Sequence, residues 1–399
     1  MGPEGVLAGL RVVEVSAFVA VPLGGMALAQ FGADVIRVDP LGGGLDFGRW
    51  PVTPDGISLY WAGLNKGKKS ITVDVRSERG RDLIRRLVTA PGSPGGILIT
   101  NLNPKWLRYE ILKESREDVI VVSLLGNPDG SIAVDYTINA ASGFPQITGN
   151  GDGPVNHVLP AWDIAAGNQV ALAVLAALIY RNHTGEGQYV ELSLADVAFS
   201  NLGHLGFIGE VVVNNEDRQA YGNYVFGSFG RDFATGDGKR VMVTAFTSRQ
   251  WQSLVDATET SEAFSDLETR SGLDLSDEGA RFTAREEISA ILEPWFASRP
   301  LERVRQILDA HRVCWGPYQS FRELVERDPR IRANPLFEEV EQPGVGRYPA
   351  PGPAPVFGAV GRLPVRPAPS LGEHTRSVLK KHLQLGDGEL TSLSDAGVI

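Results

Sequence analysis

The stretch "LRVVEVSAFVAVPLGGMALAQFGADVIRVDP", residues 10–40, decides the fold. "LRVVEVS" reads as a buried strand, "VPLGGMALAQFGA" as a helix ending at a glycine, and "DVIRVDP" as a second strand closed by an acidic residue. This is a βαβ unit. The pattern continues with "KKSITVDV" and "SERGRDLIRRLVTA", then with "GGILITN", a helical "PKWLRYEILKES" and "DVIVVSLLG". Strands alternating with helices imply a parallel sheet covered on both faces, an α/β fold with a large Rossmann-like domain.

Further along, "GQYVELSLADVAFSNLGHLGFIGEVV" carries another strand into a helix, and then the texture changes. "YVFGSFGRDFATGDGKRVMVTAFTSRQWQSLVDAT" reads as a hairpin with a Gly-Asp-Gly turn followed by a helix, and "SRPLERVRQILDAHRV" as an amphipathic helix. The expected organisation is a large α/β domain over 1–200, a smaller α+β domain over 201–330, and a return segment over 331–399 that packs on the large domain. Within that return, "RYPAPGPAPVFGAVGRLPVRPAPS" is proline-rich and is expected to be extended without regular elements, ahead of a short helix "EHTRSVLKKHL".

Composition narrows the function. A net charge of −10 without a long basic run argues against a nucleic-acid partner. The start lacks a basic leader followed by an apolar block, so a cytoplasmic location is expected. The apolar run from Ile164 to Tyr180 is interrupted by Gly167, Asn168 and Gln169 and is shorter than the roughly 20 residues that span a bilayer. A buried helix, and no membrane, is the expectation. The single cysteine, Cys314, excludes an internal disulfide and reads as a buried small hydrophobe.

Most catalytic signatures are missing. The turn "SAFVAVPLGG" puts Phe18 and Val19 where a dinucleotide site needs glycines, and GxSxG, HExxH and phosphate-loop motifs do not occur. His157, His183, His204, His311, His374 and His382 lack metal-ligand spacing, so no metal is expected. The candidate reagents reduce to carboxylates. Asp163 opens the apolar helix in "LPAWDIAAGNQVALAVLAALIY", behind the glycine-rich "TGNGDGPVNHVLPAWD". Its first reading is a helix cap, and a nucleophile fits the same place, since a helix N-terminus would hold it ionised and offer amides to an oxyanion. The residues alone leave both readings open.

Taken in order, "LAGLRVVEVS", "NKGKKSITVDVRSERG", "DYTINAASGFPQITGNGDGP", "DIAAGNQVALAVLAAL", "TGEGQYVELSLADVA" and "RPAPSLGEHTRSVL" resemble the class III coenzyme A transferases, a family that includes formyl-CoA transferase and α-methylacyl-CoA racemase. The resemblance spans nearly the whole chain. It implies an interlocked homodimer, an acyl-CoA substrate with coenzyme A as its carrier moiety, no other cofactor, and Asp163 as a nucleophile that forms an acyl anhydride and then an aspartyl-CoA thioester. It places CoA along Val19 and Ala20, the strand end Val73, Asp74, Val75 and Arg76, then Asn101, Leu102 and Asn103, and finally Ala133, Val134, Asp135 and Tyr136. Arg76 and Arg108 are its expected phosphate partners. Pro40 departs from relatives that carry an arginine after the acidic strand end.

Racemases of this family pair the aspartate with a histidine and a glutamate, which align here with Val134 and Thr247. Neither replacement is a general acid or base near neutral pH, so transfer is expected rather than racemisation. Within the transferases, "VNHVLPAWDIAAGN" and "GNYVFGSFGRDFATGDGKRVMVTAFTSRQW" are most similar to members that shift CoA between the C1 and C4 carboxyls of one mesaconyl unit. The alternative implied by the family is transfer to a separate free acid.

Overall fold

The computed structural model describes residues 5–92 and 94–399. Residues 1–4, on which the reading of the N-terminus partly rests, lie outside the described residues. The opening stretch folds as β1 (Arg11–Val15), α1 (Ala20–Gln30) and β2 (Asp34–Asp39), with Val12 opposite Val35 in a parallel pair. There follow α2 (Leu59–Leu64), β3 (Lys69–Thr72), α3 (Glu78–Thr89), β4 (Ile97–Thr100), α4 (Tyr109–Ser115), β5 (Ile120–Leu125) and α5 (Asp135–Ala141). After α6 (Phe144–Ile147) come α7 (Ala161–Thr184), β6 (Gln188–Ser193), α8 (Leu194–His204) and α9 (Phe207–Gly209). The six strands are parallel in the order β3-β2-β1-β4-β5-β6. Strand order reverses between β1 and β4, the switch point outside which doubly wound sheets bind ligands.

The chain divides into two compact units. The first comprises Met1–Ser142, His157–Asn214 and Ala333–Ile399; the second comprises Gly143–Asn156 and Asn215–Arg332. In the second, β7 (Phe229–Ala234), β8 (Arg240–Ala245) and β9 (Cys314–Pro317) form an antiparallel sheet. The helices α10 (Ser248–Thr258), α11 (Ser261–Ser271), α12 (Glu278–Thr283), α13 (Arg285–Ala297), α14 (Leu301–Ala310), α15 (Phe321–Arg327) and α16 (Pro329–Arg332) complete it. Its core gathers Phe229, Val241, Val243 and Leu254 with the stacked pair Phe233 and Phe296, whose centroids are 4.4 Å apart. Cys314 is exposed, not buried. It pairs with Thr244, so it faces away from the buried Val241 and Val243 side of the sheet.

Back in the first unit, the proline-rich return is more regular than its composition suggests. β10 (Phe337–Gln342) and β11 (Gly346–Pro351) make an antiparallel ribbon that includes Pro349 and Pro351. The Gly352 amide donates to the Leu336 carbonyl at 2.8 Å, so alternate residues 351 and 349 turn their nitrogens to the open edge, where a missing N–H costs nothing. The chain then reaches α17 (Thr375–Leu383) and α18 (Asp387–Asp395). Ahead of α17, the amides of His374 and Gly372 donate to the carbonyl and hydroxyl of Ser70, at 2.9 and 3.0 Å, which covers the edge strand β3.

Two helices also depart from expectation. The segment read as one helix from Pro104 is broken at Arg108, which is extended between a 3-10 turn (Lys105–Leu107) and α4. Leu107 and Leu112 are both buried; on a continuous helix they would point about 140° apart, at 100° per residue. α7 has 24 residues, long and apolar enough to cross a membrane by length and composition alone, and only 28% of its most apolar window is buried. Its inner face, with Gly167, Val170, Val174 and Ala177, packs in the core cluster with α1. At its far end the buried Arg181 donates to the carbonyls of Gly95 and Asp118 at 2.8 and 3.0 Å. Its outer face leaves Leu172, Ile179 and Tyr180 exposed.

Two glycines permit the α1–α7 contact. A Cβ on Gly167 would stand 2.6 Å from the Ala20 carbonyl oxygen, and one on Gly24 would stand 2.8 Å from that of Gly167. Both obstacles are backbone, which cannot swing aside. Gly167→Ala should therefore lower unfolding stability by about 1–3 kcal/mol, the range for overpacking, whereas Gly48→Ala, with open space around its Cβ, should be near neutral. Equal melting temperatures for the two variants would contradict this account of the contact.

Candidate active site

At the switch point the loops after β1 and β4 are tied together. Asn101 accepts from the Ala17 amide at 3.0 Å and donates to the Ala17 carbonyl at 2.9 Å. Phe18 is left-handed, with φ of 68°, a conformation that costs a bulky residue about 1–2 kcal/mol. Asp46 offsets that cost by accepting from the Phe18 amide at 3.1 Å. Asp46 is itself fixed by the fully buried Arg37, which donates to it at 2.9 Å and to Asp39 at 3.0 Å and lies 3.5 Å from Glu14. Burial works against the Arg37 charge, but Asp39, Glu14 and Asp46 outweigh it and raise its proton affinity. Lys68, also buried, joins through Glu14 at 2.8 Å.

Asp163 is not the cap of α7. It lies in the first turn, and the carboxylate at the helix end is that of Asp135, which accepts from the amides of Trp162 and Asp163 at 2.8 and 3.0 Å. The neighbouring amides of Ala161 and Ile164 are taken by the carbonyls of Leu159 and Pro160, at 2.8 and 3.0 Å. The first four amides of the helix are thus occupied, and the expectation that they would hold Asp163 ionised or face an oxyanion is overturned. Burial, with the Asp135 charge adding to it and Arg49 opposing it, pushes the Asp163 carboxyl up to about 7.

Asp135 also receives His157, whose Nε2 is 3.2 Å from Oδ1. The ring of Tyr136 stands edge-on to His157 at 6.3 Å, and the Tyr136 hydroxyl donates to the Val158 carbonyl at 3.3 Å. On the α2 side, the guanidinium of Arg49 lies 5.4 Å from the Phe18 ring centroid and 5.1 Å from that of Tyr60. Burial raises the Tyr60 hydroxyl, with Arg49 opposing and the charges of Asp163 and Asp46 adding. Asp163, Asp135, His157, Arg49 and Tyr60 therefore share one electrostatic neighbourhood at the carboxyl edge of the sheet.

The residues expected to hold CoA lie along the same edge, in different states. Val19, Ala20 and Val73 are buried, while Leu102, Val134 and Tyr136 are exposed. Asp74 receives the Arg76 amide at 3.1 Å, and the Arg76 side chain is 90% exposed. Asn103 accepts from Ser123 at 2.6 Å. Arg108 lines a cavity of about 380 Å³ with Asn103 and Tyr189, apart from a second cavity of about 350 Å³ lined by Ser16, Pro40, Gly43, Leu45, Val75 and Trp106. Asp135, also expected at the CoA site, is buried, and its carboxylate is taken by α7 and His157. Sequence reasoning passed over Asp46, Arg49, Tyr60 and Trp106 and weighed His157 only as a metal ligand; the glycine run 42–44 beside Pro40 was the available hint of a ligand-lined loop. Thr247, in the second unit, caps α10 by accepting from Gln250 at 3.2 Å. Among the described residues no group of three His, Cys, Asp or Glu is placed to hold a metal ion.

The Asp163 environment has a measurable sign. An unfolded aspartate ionises near 3.8, so above about pH 7 the folded state bears the cost of a buried charge, and the cost fades as pH falls and the folded carboxyl takes up its proton. Asp163→Asn should therefore raise stability at pH 8.5 by about 2–4 kcal/mol, at about 1.4 kcal/mol per tenfold change in proton affinity, and the advantage should shrink toward pH 5. A variant no more stable than the parent at pH 8.5 would refute this electrostatic account.

A sequence profile of CoA-transferase family III matches residues 7–375. The chain is 54% identical over 401 aligned residues to 2-methylfumaryl-CoA isomerase of Chloroflexus aurantiacus, across 99% of this chain and 98% of the relative. It is 29% identical over 360 residues to succinyl-CoA:mesaconate CoA-transferase of Haloarcula hispanica, across 85% of this chain and 87% of the relative. Among solved structures, a CAIB/BAIF family protein from Brucella suis matches with a TM-score of 0.78 at 26% identity, covering 95% of this chain and 99% of that one. With the doubly wound sheet, a profile spanning almost every element of it and a full-length relative above half identity, the chain belongs to CoA-transferase family III.

Proposed function

We propose that this chain is an intramolecular CoA transferase that moves CoA between the C1 and C4 carboxyls of 2-methylfumaryl-CoA, with Asp163 as its nucleophile. The observation that carries this reading is the full-length similarity to 2-methylfumaryl-CoA isomerase. A carboxylate that ionises near pH 7 in a desolvated position supports it, because a poorly hydrated carboxylate is the stronger nucleophile.

An Asp163 oxygen attacks the thioester carbonyl, the C–S bond breaks, and CoA leaves as thiolate with a mixed anhydride on the enzyme. The thiolate then attacks the Asp163 carbonyl and expels 2-methylfumarate as a dianion, leaving an aspartyl-CoA thioester. The other carboxylate of the same molecule attacks that thioester, and the thiolate released completes the exchange by attacking the new acyl carbonyl. Acyl bonds are exchanged, so the sequence of steps uses neither ATP nor a metal. In this reading CoA lies along Val19, Ala20, Val73 to Arg76, Asn101 to Asn103, Ala133, Val134 and Tyr136, with Arg76 and Arg108 toward its phosphates. The Arg76 side chain is open to solvent beside Asp74, which leaves it accessible to an anion. Valine at 134 and the capping role of Thr247 leave no acid–base pair for α-proton transfer at those positions, which disfavours racemisation.

The active form in this reading is a homodimer. Support comes from the apolar surface of the first unit: Leu172 and Ile179 on α7, Phe199 on α8, and Leu205, Val212 and Val213 beyond it are all exposed. Large apolar side chains left open to solvent on neighbouring elements are what a partner surface would cover.

A second reading, transfer to a separate acid, draws on the similarity to succinyl-CoA:mesaconate CoA-transferase. Retention of the freed acid separates the two, because trapping raises its effective concentration to about mM or more. Unlabelled 2-methylfumaryl-CoA supplied with excess labelled free 2-methylfumarate should isomerise with almost no label in either thioester. Label entering as fast as isomerisation would establish intermolecular transfer instead. Asp163→Asn should reduce either reaction by on the order of 10³-fold or more, and a purified variant with activity near the parent's would remove Asp163 from the mechanism.

A further inference from the structure

Arg49 stands out on charge grounds. The chain carries a net charge of −10, and among the described residues Arg49 has no acidic side chain within 4.0 Å, although it is exposed and its field reaches Asp163. Its backbone is held firmly for a loop residue. The Arg49 amide donates to the Asp46 carbonyl at 3.2 Å, and its carbonyl accepts from the Ser58 hydroxyl. Asp46 is pinned by Arg37, and Ser58 caps α2 by accepting from the Trp61 amide at 3.0 Å. The guanidinium itself rests against the rings of Phe18 and Tyr60. Aromatic faces of this kind orient the planar fork without neutralising it.

The oxygens of Asp163 and Asp135 make this site repel anions, and the helix amides that would have attracted one are occupied. A substrate with a second, free carboxylate must nevertheless bring that charge in. We propose that Arg49 is the specificity-determining residue that receives the free carboxylate of a dicarboxylic acyl group while Asp163 engages the activated one. This rests on the proposed function and names the feature of the substrate that the site selects. A guanidinium can take a carboxylate through two parallel N–H donors, so either end of the diacid can occupy it in turn.

The test compares 2-methylfumaryl-CoA with 2-methylbut-2-enoyl-CoA, which has the same skeleton with a methyl group in place of the free carboxylate. Hydroxylamine attacks the carbonyl of the aspartyl-CoA thioester, expels CoA thiol and leaves Asp163 as a hydroxamate, so the second-order rate of enzyme inactivation by substrate in its presence measures attack by Asp163 for either substrate, whatever free thioester hydroxylamine also cleaves. At pH 9, above the range in which Asp163 titrates, Arg49→Gln should reduce the ratio of the second-order inactivation rate constant for the diacid to that for the methyl analogue by about 10- to 100-fold. Arg49→Lys should restore part of it. In Arg49→Gln the acid limb of the rate profile should also move to higher pH for both substrates, since the cation opposing Asp135 is gone. A ratio unchanged by Arg49→Gln overturns the proposal, whether both rates fall together or neither does. Parent enzyme that hydroxylamine inactivates in the presence of 2-methylfumaryl-CoA, but that does not isomerise this substrate when hydroxylamine is absent, would defeat the proposed function alone, because the ratio still reports on Arg49.

Discussion

With Gly24 set against the carbonyl of Gly167, and Gly167 against that of Ala20, α1 and α7 lie as near to one another as backbones allow. The placement of Asp163 beside the turn after β1 depends on that closeness. α1 leaves the turn after β1, where Phe18 and Val19 sit, and α7 carries Asp163 in its first turn, four residues before Gly167. A larger residue at either glycine would part the nucleophile candidate from the switch point of the sheet. Small residues here are a geometric requirement, and the core cluster beneath them, with Val21, Leu28, Val170 and Val174, holds the crossing in place.

Electrostatics then sets the character of the site. Asp135 satisfies the amides of α7 and orients His157, and in doing so removes the usual means by which a helix end stabilises an anion. Asp163 is left poorly solvated beside a like charge, with Arg49 as the opposing cation. Such an arrangement favours chemistry at the expense of stability: a carboxylate that is costly to ionise gains most by forming a bond. The buried set of Arg37, Glu14, Asp39, Asp46 and Lys68 works in the opposite sense. Its charges are mutually satisfied, and breaking one pair in such a set costs about 3–5 kcal/mol, so the loop from Asp46 to Ser58 is held in one conformation.

The fold was largely legible because its signals are local. The run from Leu10 to Pro40 declares strand, helix and strand through spacing alone, and β7 and β8 declare a hairpin through their turn. The errors arose where long-range contacts decide. Nothing near Asp163 indicates that its helix is capped by Asp135, 28 residues earlier. Nothing within the segment after Pro104 requires a break at Arg108 until Leu107 and Leu112 must both reach the core. The prolines of β11 are tolerated because the ribbon has an open edge, and that too is a tertiary fact. Asp163 was noticed from its position before a long apolar helix, but its chemistry was named through resemblance, and Arg49 was invisible because a cation in a loop has no pattern until its neighbours are in place.

The covering of β3 by the return segment has a consequence in time. The Ser70 amide and the ring of His374 are 304 positions apart in sequence, yet they meet at 3.4 Å, and the Asp74 amide finds its acceptor at Val398. At about 5–20 residues per second a ribosome needs about 15–60 s to travel from one to the other. During that interval the edge strand and the flank of α3 around Leu83 have been made, but their cover of Leu379, Leu390 and Leu393 has not. The second unit, built almost wholly from the intervening chain, emerges first. A nascent chain of this protein therefore carries an open strand edge for most of its synthesis, and its yield in a cell depends on how well that edge is shielded until the last helix arrives.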